Sequence, residues 1–231
     1  MKQPAWKQWL SYLFEMHIES APSELHPHLY VSLRNGRYQL CTSRAIYSFG
    51  DLYGNFRQAF NHLNWDLMKG KKVLLLGFGL GSIPYMLEKV FKKDFEYTAV
   101  EKDEHVLALA QKYMLDELAS QVTFNIMDAA RFVESAFESY DLICMDVFVE
   151  DEIPEEMQSL EYCEALSGLL ADEGILLFNR LSRTHKDLKL TKKFFEEVFL
   201  EAFPQGHYLD VFGNWILTNR KDALIRKNSS D

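Results

Sequence analysis

From residue 71 to residue 179 the chain repeats one pattern: a short apolar run, a turn, then a stretch of helical periodicity. Val73 to Leu76, "FEYTAVE", "VTFNIM", "DLICMD" and "GILLFN" read as strands, with helices expected over 82–91, Glu104 to Ala119, 129–137 and 155–170. Strands that are apolar at nearly every position are covered on both faces, and strands separated by helices pair in parallel. The pattern therefore predicts an α/β chain with βαβ units and a mostly parallel sheet between two helical layers.

The two ends depart from this repeat. After a last helix, Leu188 to Ala202, the segment "HYLDVFGNWILTNR" carries two strand-like runs separated by Gly213-Asn214, with no room for a crossover helix. These runs are expected as antiparallel neighbours at the edge of a seven-stranded sheet. The closing "RKNSSD" is expected to fray. At the other end, Trp6, Trp9, Leu10, Leu13 and Phe14 fall at helical spacing, and the broad apolar stripe is expected to pack on its own domain or on a second copy in a homodimer. "LYVSLRNGRYQLCT" then places Asn35-Gly36 between alternating runs, a β-hairpin signal, and "FGDLYGNFRQAFNHLNW" gives a helix with Phe56, Phe60 and Leu63 on one face. The expected organisation is an N-terminal helix, hairpin and linking helix over 1–68, followed by the α/β domain over 69–231.

Composition removes several function classes. A formal charge of −9, without any Lys/Arg block, argues against nucleic acid as a partner. No apolar run approaches the roughly 20 residues of a membrane span, so no membrane partner is expected and a cytoplasmic location is. Cys41, Cys144 and Cys163 are odd in number and far apart, which suggests neither a disulfide framework nor a zinc site. His26-Pro27-His28, without a third ligand nearby, reads as a surface turn, and no metal is expected. The partner that remains is a small molecule.

The chemistry-bearing stretch is "KKVLLLGFGLGSIP" at 71–84. A glycine loop after the first strand of such a sheet lies at the carboxyl edge, where the backbone comes close to a ligand and helix-start amides attract negative groups. A dinucleotide fingerprint needs glycine at position 82; that residue is Ser82, and the third glycine stands one place early at Gly81. Acidic residues then close or follow the successive strands: Glu101, suited to the two hydroxyls of a ribose; Asp103, suited to cap the next helix; Asp128; and Asp146, suited to hold an amine or accept its proton. Asp128 fits a helix cap as well as a ligand contact. The acidic run Glu150, Asp151, Glu152, Glu155, Glu156 reads either as a solvated loop entering a helix or as an attraction for a polycation.

A strand ending in G-x-G-x-G resembles the first motif of the class I S-adenosylmethionine-dependent methyltransferases, which implies that Rossmann-like fold and S-adenosylmethionine as cofactor. Within that superfamily, "VLLLGFGLGSIPYMLEK", "YTAVEKDEHVLALAQKYM", "VTFNIMDAARFVE", "YDLICMDVF" and "LEYCEALSGLLADEGILLF", after a hairpin, are most similar to the spermidine synthase branch, the polyamine aminopropyltransferases. The resemblance implies Gly77, Phe78, Gly79, Leu80, Gly81, Glu101, Lys102, Asp128, Ala129 and Asp146 around the nucleoside. In it Asp146 is the catalytic base, Asp128 and the Ala129 amide meet the adenine, and Tyr53, Glu150 and Tyr162 are candidate substrate contacts.

Two departures qualify it. The family carries an aspartate where this chain has Leu80, and a leucine cannot hold the ammonium of decarboxylated S-adenosylmethionine. Asp146 is followed by Val147, Phe148, Val149 and Glu150 rather than by the family's polar Ser-Ser-Asp-Pro. On the sequence alone the first expectation is a methyltransferase for a small amine-type acceptor, using S-adenosylmethionine. The second is a polyamine aminopropyltransferase using the decarboxylated form, and the third a nucleoside-binding or dimeric structural homologue without turnover.

Overall fold

The computed structural model describes residues 3–225 except Pro27 and Arg44, so the expected fraying of 226–231 and the middle of the His26-Pro27-His28 turn lie outside the described residues. Two sheets form. The smaller is an antiparallel meander of β1 (Met16–Ser20), β2 (Tyr30–Arg34), β3 (Arg37–Cys41) and β4 (Ile46–Ser48). Its β2–β3 turn uses Asn35 and Gly36, both at positive φ, as a two-residue hairpin of the Asn-Gly kind requires. The sequence signalled this hairpin and missed the strands on either side of it.

The larger sheet contains β5 (Lys72–Leu76), β6 (Glu96–Glu101), β7 (Val122–Ile126), β8 (Tyr140–Met145), β9 (Leu170–Leu181), β10 (His207–Val211) and β11 (Asn214–Thr218) in the order β10-β11-β9-β8-β5-β6-β7. Strands β5 to β9 run parallel, and β10 and β11 close one edge antiparallel. This is the Rossmann-like fold expected, with its antiparallel edge hairpin. The turn of that hairpin is Phe212-Gly213 (φ +47 and +82), one residue earlier than expected, because Asn214 pairs with Val211 inside the ladder.

Helices α1 (Ala5–Leu10), α2 (Gly54–His62), α3 (Ser82–Lys89), α4 (Glu104–Tyr113), α5 (Ala129–Ser135), α6 (Leu160–Gly168) and α7 (His185–Phe194) complete the frame. The alternation of β5 divides the core: Val73 and Leu75 join a layer with Ala99, Leu142, Met86, Leu109 and Phe60, whereas Leu74 and Leu76 join one with Val100, Ile143, Phe132, Leu166 and Phe199. The small sheet adds Val31 and Leu40, and the residue before β2 adds Leu29, to the first layer, so the small sheet is fastened over one face of the large sheet by ordinary core packing.

One helical expectation is corrected in length and one in packing. The stretch Glu104 to Ala119 is an α-helix only to Tyr113, followed by a 3-10 turn at Leu115–Glu117, and the last helix reaches Ala202 as expected but through a π-helical turn, Phe195–Phe199. Most of the apolar stripe of the N-terminal segment does not pack on its own chain: Trp6, Trp9, Leu13 and Phe14 stand 59–69% exposed, and Leu10 is half-buried. Ser11 instead anchors that segment, its carbonyl accepting from the Asn35 amide and its hydroxyl from the Gly36 amide.

The strand order places the site. The chain leaves β5 toward β6 and β7 and returns to the other flank at β8, so the carboxyl ends of β5 and β8 form the switch point at which open α/β sheets bind ligands. Among the described residues no helix is long and apolar enough to cross a membrane, and no group of three or more His, Cys, Asp or Glu is placed to hold a metal ion.

Candidate active site

Gly77, Gly79 and Gly81 all adopt positive φ (+83, +56 and +84), which lets the chain turn from β5 into α3 within five residues. At Gly77 a second restraint applies, since a Cβ there would collide with the carbonyl of Asp146 on the adjacent strand end. The loop is held from two sides. The Glu101 carboxylate accepts from the Phe78 and Gly79 amides at 3.1 and 3.4 Å and from the Asp103 amide at 3.1 Å. Ser48 of β4 meets the Ser82 hydroxyl at 2.6 Å, and Ser82 accepts from the Phe49 amide at 2.8 Å. Burial raises the Glu101 pKa, against the pull of those three amides.

A cavity of about 350 Å³ opens over this edge, bounded by Gly77, Phe78, Gly79, Glu101 and Asp146 from the large sheet and by Ala45 to Tyr47, Tyr53 and His26 from the N-terminal part. Asp146 is among its lining residues. Tyr53 donates its hydroxyl to Oδ2 at 2.9 Å, and Asn179, two residues before the end of β9, donates Nδ2 to Oδ1 at 2.8 Å. Asn214, the first residue of β11, fixes Asn179 in turn by donating Nδ2 to its Oδ1 at 2.8 Å. Loss of hydration pushes the Asp146 carboxyl up to about 6, and the two donated hydrogen bonds oppose that rise. Burial and the neighbouring Asp146 charge hold the Tyr53 phenol far above its usual range, so Tyr53 remains a donor.

Glu150 also faces the cavity, at φ +57, and its Oε2 accepts from the Thr42 and Ser43 hydroxyls at 3.2 Å each. Asp128 caps α5 by accepting from the Ala130 amide at 2.9 Å and pairs with Lys102 at 3.0 Å. Burial opposes that pairing, yet Lys102 and the helix amides keep the Asp128 carboxyl below its usual range. Asp128, Lys102 and the buried Ala129 stand at the neighbouring strand end and do not bound the cavity. Asp103 caps α4, as its position suggested.

Two expectations fail here for packing reasons. Leu80 turns its side chain into the core, 1% exposed, and does not face the cavity. Tyr162 faces the opposite core layer with Cys163 and Leu166, on the inner side of α6, and its hydroxyl has no hydrogen-bond partner. A third correction runs the other way. His26, read as part of a surface turn, is buried against the cavity with Tyr47 edge-on at 5.0 Å, and burial lowers its pKa despite the nearby acidic charges of Asp103 and Glu150.

Sequence reasoning missed Asn179 and Asn214, although each carried a signal. A polar residue ends the otherwise apolar "GILLFN", and an asparagine follows the hairpin glycine. Arg183 and Phe212 also border the cavity.

Residues 57–217 match the profile of a family described as the spermine/spermidine synthase domain. A polyamine aminopropyltransferase of Vibrio vulnificus is 27% identical over 117 residues, covering 49% of this chain and 39% of that protein. An N-terminal histidine N-methyltransferase of Emericella nidulans is 31% identical over 115 residues, covering 48% of this chain and 20% of that protein. The matches thus span well under half the length of these relatives. Among solved structures, spermidine synthase from Thermotoga maritima superposes with a TM-score of 0.65 at 17% identity, over 88% of this chain and 72% of that one, a likeness of fold.

Proposed function

The chain belongs to the spermine/spermidine synthase domain family, and from that premise we propose that it is a transferase moving an aminopropyl group from decarboxylated S-adenosylmethionine to an amine of a di- or polyamine. The observation that carries the reading is Asp146: a carboxylate at the switch point, held by Tyr53 and Asn179, with burial pushing its carboxyl up to about 6. Glu101, Glu150 and Asp151 bound the same cavity, so its acidic character suits a cationic acceptor.

The donor set suits a sulfonium nucleoside. Glu101 offers a carboxylate already oriented by three amides, with about one lone-pair site on Oε1 left for a ribose hydroxyl. Phe78, Tyr47 and Val106 supply apolar wall. The bound sulfonium would supply an activated carbon and a thioether leaving group. The acceptor nitrogen forms its bond to that carbon, the carbon–sulfur bond breaks with its electron pair going to sulfur, and the proton released from nitrogen passes to Asp146. Tyr53 and Asn179 aim both carboxylate oxygens and keep Asp146 from turning away from the acceptor.

A second reading, methyl transfer from S-adenosylmethionine, is favoured by one feature. The glycine loop presents no carboxylate to the cavity, because Leu80 is buried in the core. Incubation of the full chain with each nucleoside and a panel of linear diamines and monoamines, followed by mass spectrometry, separates the two. Aminopropylated product from the decarboxylated form is expected. Methylated product from S-adenosylmethionine alone would replace the first reading by the second, and no product from either would remove both.

A further inference from the structure

Arg180 occupies a place where a charge is costly. It follows Asn179 on β9, and the pleat turns it to the other face of the sheet, beneath α7, where it is 4% exposed. Its partners are neutral. Nε donates to the Thr191 hydroxyl at 3.4 Å, Nη2 donates to Gln158 Oε1 at 2.8 Å, and the guanidinium lies 3.9 Å from the centroid of the Phe194 ring. Nη1 is buried without a hydrogen-bond partner, and no carboxylate among the described residues pairs with the side chain. Loss of hydration lowers its pKa to about 10, which still leaves it charged at neutral pH. A buried cation with unmet donors is destabilising unless an anion answers it.

The space for one is adjacent. A second cavity of about 470 Å³ is bounded by Arg180, Gln158, Thr191 and Phe194, with Lys186 and Lys193 on α7 also facing it. We propose that this cavity binds a small oxyanion, a carboxylate or a phosphate, whose oxygens join Gln158 in accepting from the Arg180 guanidinium, with Lys186 and Lys193 as further cationic contacts. A planar guanidinium with free N–H groups matches oxyanions in charge and geometry. Four carboxylates also border the cavity: Asp187 is engaged at the cap of α7, accepting from the Thr184 amide, and Glu197 pairs with Lys193 at 3.8 Å, while Asp151 and Glu152 oppose any anion there and oppose a highly charged one most. Phe148, Asp151 and Leu181 bound both cavities, so the anion would sit against the loop that follows Asp146.

Calorimetric titration of the full chain with inorganic phosphate and, separately, with malonate, at ionic strength fixed by chloride, tests this. Saturable one-to-one binding of at least one anion is expected, and the stronger of the two identifies the class. Arg180→Gln should weaken it at least about tenfold, and Lys186→Ala, at an exposed position that does not threaten folding, about threefold. Asp146→Asn should bind the anion as the wild type does, which keeps this outcome separate from the proposed transfer reaction. Absence of saturable binding by both anions, or unchanged binding in both cavity variants, overturns the proposal.

Discussion

At the scale of single residues the site turns on one carboxyl group whose protonation is set by its neighbours. A base must be ionised to work, so turnover should rise with pH through about 6, following Asp146. Asp146→Asn should lower kcat by about 10²–10⁴ while leaving nucleoside affinity nearly unchanged, measured by steady-state kinetics beside calorimetry. Tyr53→Phe removes a donor that favours the ionised form, so the rising limb of the kcat/KM profile should move to higher pH. An unmoved limb would take Tyr53 out of the network. The same group bears on stability. Its folded pKa lies above that of the unfolded chain, so the penalty for holding it ionised is absent at low pH and grows as pH rises through about 6. The melting temperature of Asp146→Asn relative to wild type should therefore increase between pH 5 and pH 8.

At the scale of elements, the glycine loop is fixed by backbone geometry more than by side chains. Gly77→Ala meets both a positive φ and the Asp146 carbonyl, and should destabilise the fold by about 2 kcal/mol or more in urea unfolding. The loop, the strand alternation and the acidic strand ends were legible in the sequence because each depends on local chain geometry or on period-two patterning. Asn179 and Asn214 were not, because their hydrogen bond joins residues 35 positions apart through an edge hairpin whose register no local rule supplies. Leu80 and Tyr162 misled for a related reason: a position in a motif does not state which way a side chain turns. Leu80 turns into the layer beneath the small sheet, and Tyr162 into the layer shared with α6 and α7.

At the scale of the whole molecule, the N-terminal part and the α/β domain share one core layer, and the cavity has walls from both. The aromatic N-terminal segment stands outside this arrangement. A Trp6→Ser, Trp9→Ser double variant should change the unfolding free energy by less than about 1 kcal/mol, since neither ring is buried, and a larger loss would mean that the segment packs somewhere in solution. The Ser48–Ser82 contact has the opposite character, because it fastens β4 of the small sheet to the first residue of α3 beside the glycine loop. It implies a shared protection of amides. The Phe49 N–H group, which donates to Ser82, should exchange with deuterium at the rate at which the small sheet lifts away. A ligand touching both walls of the cavity should then slow exchange across 46–49 and 77–82 together, as one cooperative opening unit.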